Sequence, residues 1–217
     1  MTYAQKLFKR LKRRLLRKQS RPLLIIGVLV ALLLSIAVYS SVMPKYIDPS
    51  AYRGLLTTIA EGESNGNYNA YFANSANSSL KLTDMTIAEV LQWQTDYVQA
   101  GNASNASNAA GRYQIIQPTL EGLVKELHIH PSTKFDEAMQ DKMAITLMER
   151  RGSIDFAEAK ISSEQFAANL AKEWAALPAI LGDSPTESFY AGDGLNEARI
   201  PVETILQAVR EFQRLAE

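Results

Sequence analysis

Two short segments carry the residue types that can do chemistry on a bound substrate. The first is IAEGESNGNYN, residues 59–69, where Glu61 and Glu63 stand at the end of an apolar run and are followed by small residues and asparagines. A carboxyl group placed where a helix meets an open cleft is partly shielded from water. That shielding disfavours the charged form and raises the pKa, as a general acid requires. The second is AAGRYQII, residues 109–116. Gly111 permits close backbone approach, while Tyr113 and Gln114 offer an aromatic face and amide hydrogen bonds of the kind that hold sugars. On pattern alone each segment also has a plainer explanation. Two glutamates near a helix end are usually solvated, and a buried tyrosine in a packed loop accounts for the second.

Other chemistries find less material. There is no cysteine, so disulfides and thiolate metal sites are excluded. His128 and His130 flank a single isoleucine without further ligands at a convincing spacing, so the expectation is a solvated helix end, with no metal and no cofactor.

The elements that must position these segments read as helices. Ser50 is expected to cap a first helix that buries Leu55, Leu56 and Ile59 and ends at the Gly/Asn run. Thr86 and Glu89 have capping-box spacing ahead of a helix over 87–97. Residues 101–109 are small and polar and read as a loop. Pro118 suits the first turn of a helix reaching His128. A longer helix is expected over 135–151, with Phe135, Met139, Met143 and Leu147 on one stripe and a stop at Gly152. Ser162 and Gln165 open another capping box, leading to Trp174. Pro201 starts a last helix whose Val202, Ile205, Leu206, Val209, Phe212 and Leu215 make an apolar face. No long period-2 alternation exists, and at most one small hairpin fits between 67 and 83. The expected body, residues 51–217, is one mainly α domain.

The N-terminal part differs in kind. Residues 1–21 contain nine of the 23 basic residues and no acid, which leaves 14 basic against 23 acidic residues in the remainder. Leu23 to Met43 contains no charged residue, and such a length, about 31 Å as a helix, matches a bilayer core. The expectation is a basic cytoplasmic arm over 1–21, a transmembrane helix over 22–43, a short linker over 44–50, and a domain beyond a bacterial inner membrane. A cleavable signal peptide is the rival, since Ser40 and Ser41 are small enough for a cleavage site, but the apolar region of such a peptide is usually shorter than this one. The basic arm is explained by topology, so nucleic acid is not an expected partner.

Taken together, the order E-S-N-G (63–66), A-A-G-R-Y-Q (109–114), E-R-R-G (149–152) and W-A-A-L-P (174–178) resembles the phage lambda-type lysozymes and related muramidases. These belong to the lysozyme-like superfamily that includes lytic transglycosylases. The resemblance runs from about Tyr52 to the C-terminus. It implies a lysozyme-like fold, peptidoglycan glycan strands as substrate, and cleavage between N-acetylmuramic acid and N-acetylglucosamine. On the same resemblance Glu63, not Glu61, is the catalytic acid. Tyr113 and Gln114 are expected to bind substrate opposite it, with Ser64 and Tyr68 near the cleft edge, because the helix end and the GRYQ turn supply the aromatic faces and polar groups that hold sugars. Helix geometry supports separating the two glutamates, because residues two apart point about 200° apart. Lambda-type enzymes and lytic transglycosylases work with one essential glutamate and form a 1,6-anhydro product. A two-carboxylate hydrolysis remains the alternative, although Asp84, the nearest further acid, reads as part of a helix N-terminus. The expected role is cell-wall remodelling or lysis, with an envelope-spanning secretion, conjugation or phage apparatus as the partner to look for. A catalytically silent, membrane-anchored glycan-binding scaffold is the reading from another class.

Overall fold

A computed structural model of the chain describes residues 6–10, 12, 30–32, 46–101 and 107–216. The chain divides into two compact units, Met1–Tyr46 and Ile47–Glu217. In the first, the described residues 6–10, 12 and 30–32 are helical.

The membrane-spanning helix expected over 22–43 is corrected. A span needs about 20 consecutive apolar residues in one helix. Among the described residues no helix is long and apolar enough to cross a membrane. Of the expected span only residues 30–32 are described, and the rest lies outside the described residues. The single-pass inner-membrane placement, with a cytoplasmic N-terminus and a periplasmic domain, falls with it.

The second unit is mainly helical. Its α-helices are α1 (Arg53–Ser64), α2 (Ile87–Gln99), α3 (Gln117–Glu126), α4 (Glu137–Arg150), α5 (Ser153–Ala157), α6 (Ser163–Ala171) and α7 (Val202–Ala216). The β content among the described residues is isolated bridges, including Tyr71 with Asn74 and Ala110 with Ile115.

Start and stop signals explain most boundaries. Thr86 and Glu89 form the full capping box of α2, each side chain bonded to the other's backbone N–H. Ser162 accepts from the Gln165 N–H, but the Gln165 amide turns to Asn169, so the box at α6 is half made. The helix then ends at Ala171, three residues short of Trp174. Asp136 caps α4 by accepting from the Met139 N–H, which leaves Phe135 just outside the helix yet fully buried. The N-terminal cap expected from Ser50 belongs instead to Asp48. Its carboxylate accepts from the Ser50 N–H and starts a 3-10 turn, Pro49–Tyr52, that runs into α1.

Helices α1 and α7 pack against each other, and α5 and α6 also pack against α7. Tyr52, Phe156, Phe166 and Phe212 form an aromatic centre with ring centroids 4.7–6.2 Å apart. The Tyr52 hydroxyl and the Ser153 hydroxyl bond at 2.9 Å, so the one polar atom carried into this centre has a partner. On α7, Ile205, Val209 and Phe212 are buried, whereas Leu215 is exposed. This core fixes the direction in which the C-terminal end of α1 emerges.

Candidate active site

The end of α1 opens into a cleft of about 970 Å³ lined by Glu63, Tyr71, Tyr113, Gln114, Trp174 and Arg199 among others. Its position follows from how the helix stops. Asn65, in the left-handed region with φ +53°, ends α1, and the Gly66 N–H returns to the Ala60 carbonyl. Glu63 therefore sits in the final turn and projects among residues of the following segments.

Glu63 is partly buried, and its carboxyl is pushed up to about 7. Burial is the main cause. A hydrogen bond from the Ala176 N–H to Oε1, 3.0 Å long, and the charge of Arg199 work against it. A group with that balance holds a proton near neutrality and can still release it. Glu61, two residues earlier, is exposed.

Gly62 makes the Ala176 contact possible. A Cβ there would stand 2.9 Å from both Ala176 Cβ and Ile200 Cγ1, too close for either. The Ala176 peptide is itself held, because its carbonyl accepts from the N–H groups of Arg199 and Ile200 at 2.8 and 3.1 Å. Arg199 also donates from Nη1 to the Gly62 carbonyl at 3.1 Å. The segment WAALP thus presents a fixed donor to one carboxyl oxygen.

Residues 111–114 form a tight turn closed by reciprocal backbone bonds between Ala110 and Ile115. Gly111 has φ +79°, and a side chain there would overlap the Gln140 carboxamide. Gln140, fully buried, spends its whole amide on this region. Its Oε1 accepts from the Arg112 N–H at 2.8 Å, and its Nε2 donates to the carbonyls of Tyr68 and Phe135. Ser64 Oγ donates to the Arg112 carbonyl at 2.7 Å and so ties the end of α1 to the turn.

The structure brings Glu63, Ser64, Tyr113 and Gln114 to the same cleft. Ser64 and Tyr113 are almost wholly buried there. The Tyr113 hydroxyl donates to Asp141 at 2.6 Å, and burial followed by that carboxylate pushes its ionisation up. Gln114 donates from Nε2 to the Gly111 carbonyl at 2.8 Å. Tyr68 is placed elsewhere. It lies behind the turn, donating to Asp141 at 2.9 Å with the Arg112 guanidinium over its ring at 4.7 Å, and it is not part of the cleft lining. Burial and the Asp141 hydrogen bond raise its pKa.

Sequence reasoning passed over Arg199, Ala176, Gln140 and Asp141. All four act through bonds to residues more than 70 positions away, and no local pattern announces such a partner. Two further carboxylates line the cleft. Glu173 is paired with Arg151 at 2.7 Å, and Asp193 accepts from the N–H groups of Leu195 and Asn196 in its own loop. Asp84 is exposed in a 3-10 turn, Leu82–Asp84, away from this lining.

A family model described as Endolysin matches residues 53–190. Among solved structures, the lysozyme from bacteriophage lambda is similar, with a TM-score of 0.45 and 17% identity over 78% of this chain and 96% of that chain. No curated protein matches.

Proposed function

The chain belongs to the Endolysin family and is a lysozyme-like enzyme that cleaves peptidoglycan, and on that premise we propose that Glu63 is its general acid. The observation that carries the proposal is a single carboxyl group, held near pKa 7, at the end of α1 in the cleft. The substrate bond is the one between N-acetylmuramic acid and N-acetylglucosamine. Glu63 gives its proton to the leaving glycosidic oxygen as the bond to the muramic acid C1 breaks. The carboxylate then accepts the proton of the same sugar's 6-hydroxyl while that oxygen bonds to C1. The product is a 1,6-anhydro sugar, the acid is regenerated, and water takes no part.

The state of the other cleft carboxylates favours this route over two-carboxylate hydrolysis. A base or nucleophile needs a free carboxylate across the bond. Glu173 is engaged by Arg151, and Asp193 by its own loop. Gln114 offers the half-buried polar side chain of this wall to the sugar, the buried Tyr113 ring supports the turn that carries it, and Ser64 fixes that turn to the acid-bearing helix.

Digestion of purified peptidoglycan in ¹⁸O-labelled water, followed by mass spectrometry of the muropeptides, tests this. Unlabelled 1,6-anhydro ends are expected from the wild-type chain. Glu63→Gln is expected to lose about 10²–10⁴-fold in rate, the usual contribution of a positioned acid. Labelled reducing ends would mean hydrolysis, and an active Glu63→Gln would remove the acid assignment.

A further inference from the structure

Beside the cleft three aromatic rings meet. Tyr71 belongs to the cleft lining. Trp93 and Tyr97, one turn apart on α2, stand against it without joining that lining. Ring centroids are 5.5 Å apart for Tyr71 and Trp93, 5.6 Å for Tyr71 and Tyr97, and 5.1 Å for Trp93 and Tyr97. All three rings are half-buried. The buried face of α2 is made by Ile87, Val90 and Gln94, and Trp93, which also packs against the core, remains only half-buried on the flank.

The polar atoms of the cluster are unequally used. Tyr71 Oη accepts from Asn74 Nδ2 at 2.8 Å, and the Tyr97 hydroxyl donates to the Phe72 carbonyl at 3.2 Å. The Trp93 indole N–H has no acceptor in the protein among the described residues, and it is not sealed from solvent. Aromatic surface left half-wet, with one unused donor beside it, suits a pyranose ring. The sugar's C–H face covers the aromatic ring, and a hydroxyl or acetamido oxygen accepts from the indole.

We infer that Tyr71, Trp93 and Tyr97 form a glycan-holding platform that continues the cleft, where sugars of the strand beyond the reacting pair are bound. The occupant is the glycan strand itself, because Tyr71 belongs to both surfaces and a polymer held in the cleft must leave it at its ends. At about 970 Å³ the cleft is already at the upper limit of an ordinary ligand pocket, so additional sugars find their contacts outside it. The platform makes the enzyme select long strands over short ones. This inference rests on the reading of the cleft as a glycan site.

A purely structural role for the rings, fastening residues 71–74 to α2, predicts something different, and ligand length separates the two. The chain has two tryptophans, Trp93 and the buried Trp174, so emission can be assigned by comparing Glu63→Gln with Glu63→Gln/Trp93→Phe. The probes are chitohexaose and chitobiose, titrated into the full chain by fluorescence and by calorimetry. The platform predicts that chitohexaose changes the Trp93 emission and that Trp93→Ala weakens chitohexaose roughly three- to tenfold. It predicts a smaller loss for chitobiose and recovery of most of the affinity in Trp93→Tyr. Chitohexaose that binds by calorimetry without altering Trp93 emission overturns the platform, as does an equal loss for both probes. No heat with either probe overturns the glycan reading of the cleft, and the platform with it. The emission measurement needs no Trp93→Ala protein, so it decides even where that variant fails to fold.

Discussion

On one side of the cleft, the end of α1 and the 111–114 turn are joined to α4 by side-chain bonds that cross 28 to 73 residues of sequence. Elsewhere along the cleft, residues 179–196 satisfy themselves mostly with near neighbours. Ala179 donates to Glu187, Ile180 to Pro185, and Asp193 folds back on Leu195 and Asn196. Leu181, Phe189, Tyr190 and Leu195 stay exposed there. The Tyr190 hydroxyl, donating to the Lys172 carbonyl at 2.8 Å, is a longer-range tie on that side. A segment held by its own short loops opens at a lower free energy than one locked into the core. The proposed acid stands on the locked side, where its distance to the Ala176 donor is set by the fold as a whole.

The sharpest way to break this comparison is Gln140→Leu. It leaves the Arg112 N–H and the Tyr68 and Phe135 carbonyls without their partner in a buried place. The expected cost is about 2–4 kcal/mol in urea unfolding, with cleavage lost in parallel. A cost no greater than that of a loop variant would show that the first wall is not locked by these bonds.

Next in size is the effect of Glu63 itself. Its folded pKa is about 7, above the ordinary 4.5. The unfolded chain therefore gives up this proton first. The stabilising contribution is complete below pH 4.5 and is lost as pH rises through 7. Glu63→Gln keeps an acceptor for the Ala176 N–H and carries no charge. It is expected to be more stable than wild type by about 1–3 kcal/mol at pH 8, with little difference at pH 4. Equal stability at both pH values would mean that the carboxyl is not held out of water. For the wild type, kcat/KM should fall as pH rises above 7, since the acid must begin protonated.

The smallest effect belongs to the second wall. Tyr190→Phe removes one bond from an exposed ring and is expected to cost no more than about 0.5–1.5 kcal/mol. Thermal unfolding of the two variants side by side, Gln140→Leu and Tyr190→Phe, sharpens the contrast between the walls.

The same contrast explains what was legible beforehand. The helix patterns were readable because caps and apolar stripes are local. Thr86 with Glu89 and the run Ile205, Val209, Phe212 each announce themselves within a few residues. The segments bearing Glu63, Tyr113 and Gln114 were readable for the same reason. Tyr68 was expected at the cleft edge because it follows Glu63 closely in sequence. Its place is decided instead by Asp141 and Arg112, which come from distant elements. Trp174 was assigned to a helix that ends at Ala171, since WAALP is needed as a turn offering its Ala176 N–H. The long apolar run near the N-terminus looked decisive by composition, yet among the described residues no helix is long and apolar enough to cross a membrane.

The bond from Ala176 distinguishes the two oxygens of Glu63. Oε1 receives the peptide N–H, and a carboxyl oxygen that accepts in this way is the poorer place for a proton. The acidic hydrogen of the neutral group then belongs on Oε2. Under the proposed role, one oxygen is the handle by which the fold grips the group and the other is the working end. Which of the two carboxyl oxygens delivers the proton is thus selected by a backbone N–H 113 residues further along the chain.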